Sequence, residues 1–363
     1  MREAPQFRPA TVVLLSIVCV LTAIGLLVAV SAAPPGEASS VLLRHSGFLA
    51  AAAISFAVGF KLDAHKVRNY SLHFSFLLWL FLFLMLSTSI GRTANAATRW
   101  IQLGPVSLQP SLFLQVLWPI MLSSWIAKDP LRVKSIAPIM KMIGVFLTLM
   151  LPVLLQPDIG SVGILIVVSA CVMLFAGLPS RVMLAASPVL LGFGALSVMA
   201  FGHVSSRIDS WSEGVPEQVL RAHDAFRYGG WFGAGPGNGV LKFGYIPEST
   251  TDFVLALIAE EWGMLGTLTV WLLFMAFTFF GLRVARQSTH RYGILLMGAT
   301  TVVISFQAAY NMAMVVGAFP VKGLPLPFVS RGGSSLIALS LLLGIAIKAT
   351  QANMRHKSTT FGL

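Results

Sequence analysis

Ten apolar runs of roughly sixteen residues or more recur along this chain of 363 residues, at about 10–32, 47–62, 70–90, 110–127, 137–155, 159–177, 181–201, 252–282, 293–316 and 334–350. Most are long enough to cross a hydrocarbon core of roughly 30 Å as a helix. A backbone in lipid must satisfy its own hydrogen bonds, so runs of this length are expected to be helical. The expected fold class is therefore all-α: a polytopic integral membrane protein with about ten transmembrane helices and a large extracytoplasmic loop. Hydrophobic residues make up 56% of the chain and charged ones 10%, which excludes an ordinary soluble domain. The first run is too long for a signal peptide and lacks a small-residue cleavage pattern, so it is expected to stay as a span. No linker or low-complexity stretch intervenes, and residues 1–363 are expected to form a single membrane domain.

Basic residues set the expected orientation. With the N-terminus inside, about sixteen of the 25 Lys and Arg fall on cytoplasmic segments, among them Lys61, Lys66, Arg68, Lys128, Arg132, Lys134, Arg283, Arg286, Arg291, Arg355 and Lys357. About nine fall outside, so the positive-inside rule places both termini in the cytoplasm. The net charge of +12 then reflects topology and contact with anionic membrane lipid. These residues are scattered over several loops and form no single stripe, which argues against nucleic acid as a partner. Cys19 and Cys171 both lie in apolar runs and carry no disulfide or metal signal.

Under this topology the polar residues gather on the outer side. The outer loop at 202–251 is some fifty residues long, and long ordered loops are usually functional. Counted with Asp252 at its edge, it holds six of the thirteen acids. Smaller polar loops at 91–110 and 317–335 open on the same face, enough for a shared extracytoplasmic cavity. From residue 229 the chain reads GGWFGAGPGNGVLKFGYIPESTTDFVLALIAEEWG. Asp252 stands at the mouth of an apolar run, with Glu260 and Glu261 inside it. Ionisable groups inside a span are costly and by default mark a site. Glu260 stands eight residues past Asp252, about 12 Å deeper in a continuous helix. Gly233, Gly235, Gly237 and Gly239 do not form a nucleotide loop, since Asn238 takes the third Gly position and no strand precedes them. A tight or re-entrant turn at the bilayer surface is expected instead. His203 and His223 are too isolated for a zinc site.

Four motifs, in order, carry a resemblance. They are Asn95 with Arg99-Trp100, the Gln156-Pro157-Asp158-Ile159-Gly160 element, residues 245–263, and the block FPVKGLPLPFVSRGGSS at 319–335 preceded by Gln307 and Asn311. Together they resemble the FtsW/RodA (SEDS) family of ten-span peptidoglycan glycosyltransferases over nearly the whole chain. Lys322 before Gly323, and Lys242, are similar to the division-type FtsW branch. Two departures mark a divergent member. Where the family has an acid and a lysine one turn apart after Gln-Pro-Ser, this chain has Leu112 and Gln115, and Arg331 stands where Tyr is common. Losing both partners of a buried ion pair can be nearly neutral.

The resemblance implies polymerisation of lipid II beside a class B penicillin-binding transpeptidase, at the outer face of the bacterial inner membrane. It makes Asp252 the general base. Lys322, Arg331 and Arg207 would hold the diphosphate of the undecaprenyl-linked glycan, with Ser330 and Glu260 as further substrate-binding residues. Arg99, Arg221, Arg227 and Lys242 are additional outer cations. No cofactor is certain; a divalent cation, Mg or Mn, suits the leaving group, but no metal-ligand set is evident. Structural roles fit the same residues. Asp252 with Ser249 matches a capping box, Asp158 caps a span or binds metal, and buried hydrogen bonds suit both glutamates. Two other functions fit the chain as well: a flippase for the lipid-linked precursor, or a weakly active scaffold for the transpeptidase.

Overall fold

The computed structural model describes residues 8–87, 92–94, 97–103, 106–156, 158–179, 214–241, 245 and 248–351. Its helices are α1 (Pro9–Ser31), α2 (Ala38–Lys61), α3 (Ala64–Ser87), α4 (Leu114–Lys128), α5 (Ile136–Leu155), α6 (Ile159–Phe175), α7 (Glu217–Gly229), α8 (Val254–Arg286), α9 (Arg291–Val315) and α10 (Gly333–Gln351). Eight of these, α4 counted with the 3-10 turn Pro110–Phe113, are long and apolar enough to cross a membrane, and α6 is apolar but shorter. The run at 181–201, Arg207 and Lys242 lie outside the described residues. Between α3 and α4 the expected plain loop carries a short antiparallel meander, β1 (Arg92–Ala94), β2 (Ala97–Leu103) and β3 (Val106–Leu108), in the order β1-β2-β3. Hairpin pairing satisfies this backbone locally.

Helices α9 and α10 form the interior, with most of their residues buried. Helix α3 turns Leu72, Phe74, Phe76, Leu77 and Leu80 outward, the apolar exterior expected of a surface solvated by lipid. Basic residues collect at one end, where their cations meet neighbouring helices. Arg291 donates to the carbonyl of Ala176 at 2.9 Å, Arg68 stacks 5.7 Å over the Tyr292 ring, and Lys348 stacks 5.4 Å over Phe60.

Helix α1 defines the span of the bundle. At the basic end Arg8, its N-cap, donates to the carbonyl of Gln287, the C-cap of α8. At the other end Ser31, its last residue, donates to the Glu261 carboxylate. These 23 residues rise about 33 Å, a full bilayer core. Glu261 therefore stands at the rim of the bundle. Helix α8 breaks two residues later at Gly263, whose φ of 69° and ψ of −165° are not helical. The stretch 264–286 spans by itself, and 254–262 is a separate half-helix.

That half-helix lies across the end of the bundle. One end is tied to Ser31. At the other, the carbonyl of Asp252 accepts from Asn311, about 30 Å along α9 from Arg291, so both ends sit at similar height. Every residue from Phe253 to Glu261 is buried, as a cross-piece covered on all sides must be. The expected descent of Glu260 into the membrane is thus corrected: the break at Gly263 turns the segment sideways.

A broken helix frees backbone groups, and the Gly-rich strap satisfies them. The amides of Ala234 and Gly235 donate to the carbonyls of Glu260 and Glu261 at 2.9 and 3.0 Å. In return Met264 and Leu265 donate to Gly230 and Trp231 at 2.8 and 3.2 Å. Gly233 makes this approach possible, because its φ is +80° and a Cβ there would collide with the Glu261 carbonyl. The turn expected at the glycines is therefore a strap paired to α8. Gly233→Ala is expected to lose about 2 kcal/mol or more, from left-handed strain plus collision. Thermal unfolding in detergent, followed by tryptophan fluorescence, measures the drop; an unchanged midpoint would show that the strap does not bear on stability.

Candidate active site

The segment between α9 and α10 has no regular structure, so its carbonyls need partners from elsewhere. Two fully buried amides on α9, four residues apart, supply them. Gln307 donates to Pro325 at 2.9 Å, and Asn311 donates to both Leu324 at 2.6 Å and Asp252 at 2.8 Å. Tyr310 adds a bond to Pro320 at 3.1 Å. Val329 is pressed against Gly25 of α1, where no side chain would fit.

This loop grips the turn that carries Asp252. Ser330 donates to the carbonyl of Thr251 at 2.5 Å and accepts from the amide of Leu326 at 2.7 Å. The Arg331 amide donates to Thr250 at 3.0 Å. Three consecutive carbonyls, at residues 250, 251 and 252, are thereby held by the loop and by Asn311. Ser330 is a structural clasp here, a role the sequence did not suggest.

Asp252 is half-buried, and its Oδ2 faces Gly323, lying 3.3 Å from where a Cβ there would project. The capping role weighed for it is not what the half-helix shows: the N-cap is Phe253, with no side-chain cap bond. Next to Gly323, the Lys322 side chain runs over Gly160 in the first turn of α6, leaving no room for a Cβ. Asp158 caps that helix, accepting from Ser161 N at 3.4 Å and Ser161 Oγ at 2.7 Å, as its structural alternative predicted. Asp158 also accepts from Gln109 Nε2 at 3.2 Å, and the Gln109 amide donates to Ser334 at 3.3 Å. Elements spaced over more than two hundred residues thus meet at one end of the bundle. A pair of buried amides in an apolar helix was the available signal for Gln307 and Asn311; nothing in the sequence signalled the Gln109–Asp158 link.

Glu260 does not face Asp252's turn. Its Oε1 accepts from the amides of Val240 at 2.5 Å and Leu241 at 2.7 Å, fastening the far end of the Gly-rich strap. Helix α7 braces the same strap from outside. Tyr245 donates to Asp224 at 2.7 Å, a bond that raises the phenol pKa, and Arg221 stacks 5.2 Å over its ring while pairing with Glu217. Leu112 and Gln115, in place of a charged pair, are both buried, and neither leaves a charge stranded. Arg331 is half-buried at the end of the loop, while Arg207 lies outside the described residues. Among the described residues no three His, Cys, Asp or Glu side chains converge as a metal site.

The chain matches the family model FTSW_RODA_SPOVE, cell cycle protein, over residues 7–355. It is 32% identical over 360 residues to a probable peptidoglycan glycosyltransferase FtsW of Aeromonas salmonicida, covering 93% of this chain and 90% of that one. A protein of the same name from Trichlorobacter lovleyi is 30% identical over 363 residues, with 96% and 94% covered. RodA of Thermus thermophilus shares the fold, with a TM-score of 0.71 at 24% identity over 94% of this chain and 97% of that one. A chain from a structure described as showing coordination of polymerization and crosslinking by a peptidoglycan synthase complex gives 0.78 at 22% identity, covering 93% and 96%. The family model spans nearly the whole chain, and three of the four motifs, at 156–160, 245–263 and 319–335, meet at one end of a multi-pass helical bundle: this protein is a member of the FtsW/RodA/SpoVE cell cycle family.

Proposed function

We propose that this protein polymerises lipid II into glycan strands, with Asp252 as the general base. The observation that carries the proposal is the placement of the Asp252 carboxylate against Gly323, beside Lys322, on a turn clamped at three consecutive carbonyls. The relatives named as probable peptidoglycan glycosyltransferases support it. In the reaction a sugar hydroxyl of one unit attacks the anomeric carbon of another. Its proton passes to the Asp252 carboxylate as the new C–O bond forms. The bond from the anomeric carbon to the diphosphate oxygen breaks, and the diphosphate leaves with the electron pair. Lys322 and Arg331 meet the charge that develops there, Arg through a bidentate fork and Lys as a point charge.

The topology follows from the same reading. The basic end faces the cytoplasm with both termini, and the Asp252 end faces outward, where the lipid-linked head group is presented. A class B transpeptidase would cross-link the product strands, and the FtsW names among the relatives favour a role in division.

Two outcomes test this. Purified wild type, supplied with lipid II and a partner transpeptidase, is expected to make glycan chains visible on a gel. Asp252→Asn should lower the rate by about a hundredfold or more while the protein stays folded, since loss of a general base typically costs that much. No chains from a folded, partner-bound wild type would instead favour a flippase or scaffold. Asn311→Ala leaves every charge in place but releases Asp252 and Leu324. It should cut kcat about tenfold with little change in KM, and speed amide exchange at residues 250–253 and 322–330 together. Exchange confined to α9 would show that Asn311 does not position the base.

A further inference from the structure

His45 on α2 is 2% exposed, and neither of its ring nitrogens has a hydrogen-bond partner. A neutral imidazole carries one donor and one acceptor, and leaving both unmade in a buried place is costly. Its position follows from how α2 and α10 pack. The two run parallel, in close register: the Phe48 ring sits on Gly333, Ser55 donates to Ile337 at 3.1 Å, and Gly59 lies against the Leu341 carbonyl. One turn back from Phe48, the register brings His45 level with Ser330 and Arg331.

Arg331 is the complementary case. Its amide is bonded to Thr250, but its guanidinium makes no hydrogen bond or ion pair among the described residues. Its charge acts on His45. A half-buried cation and a buried imidazole thus stand together at the site end of the bundle, both able to donate and neither matched. An oxyanion would satisfy both at once, and charge-assisted bonds to it would be strong.

We propose that His45 and Arg331 form one anion-binding pair that takes a phosphate of the polyprenyl diphosphate on the substrate. This rests on the polymerase reading above for the identity of the anion; the same chemistry would accept an anionic phospholipid headgroup. His45 adds a residue from the second helix to a site otherwise built from α6, α8, α9 and the loop after α9. The pair stands on the α2 and α10 flank of that loop, whereas Lys322 stands on the α6 flank.

The test uses the full chain in nanodiscs of phosphatidylcholine, titrated with farnesyl diphosphate by calorimetry. His45→Leu and Arg331→Gln should each weaken Kd about tenfold. Together they should lose clearly less than the product of the two, as one shared ligand requires. His45→Gln, which keeps an N–H donor, should recover part of the loss. The melting midpoint of His45→Leu should hold or rise, because an unmatched polar group has been removed. An unchanged Kd in folded His45→Leu, absent binding by wild type, or a lower midpoint in both His45 variants would overturn the pair. Phosphatidylglycerol in the discs that displaces the diphosphate through His45 would assign the site to bilayer lipid and overturn the substrate. Intact His45-dependent binding by a wild type that makes no glycan would sink the polymerase reading alone.

Discussion

The backbone exchange between the Gly-rich strap and the break in α8 holds the site together. A helix that stops at the rim of a bilayer exposes amides and carbonyls that lipid cannot satisfy. Residues 230–235 pair with those groups in both directions, two bonds each way. The break at Gly263 is then tolerated, and nine residues can lie across the bundle instead of through it. Asp252 is delivered to one end of that cross-piece and Glu261 to the other. Were α8 straight, residues 254–262 would run on past the rim and carry Asp252 more than about 10 Å beyond it, at roughly 1.5 Å per residue.

Fixing the turn by its carbonyls has a chemical consequence. Asn311, Ser330 and the Arg331 amide grip residues 252, 251 and 250 through main-chain oxygens. The turn is thus held through its main chain, and the Asp252 carboxylate faces Gly323. Under the proposed function, main-chain clamping sets where the carboxylate meets a substrate hydroxyl. Glu260 shows the contrast. Its carboxylate spends one oxygen on two strap amides, so its charge serves the strap before it serves any substrate.

Much of this was legible in the sequence because lipid leaves few solutions. Apolar runs of span length fixed the helices, and nine of the ten coincide with helices among the described residues. The motifs were readable as residue types, and Asp252, Lys322, Asp158, Asn311 and Gln307 do come to one end of the bundle. What the pattern could not show was direction. Periodicity treats 252–282 as one helix, because a single glycine does not interrupt an apolar run, and only its φ of 69° reveals the bend. The glutamates therefore read as intramembrane acids. Ser330 read as a ligand-facing hydroxyl because nothing local announces a bond to a residue 79 positions away. His45 passed unnoticed for the same reason: its importance lies in the register of α2 against α10, which is a property of packing.

The two departures from the family pattern have opposite physical characters. At Leu112 and Gln115 both charges are absent together, so the interior keeps no uncompensated ion there, although the buried Gln115 Nε2 has no hydrogen-bond partner. At Arg331 a charge is added without an acid to meet it among the described residues. An unpaired cation half out of water is costly unless an anion arrives to meet it, and the imidazole beside it carries the same deficit. The end of the bundle thus loses fixed charge on one side of the signature loop and gains unmatched donors on the other. A site whose donors are completed only by an incoming oxyanion gives up some stability when empty and recovers it on binding, which turns a structural deficit into affinity for a phosphate-bearing substrate.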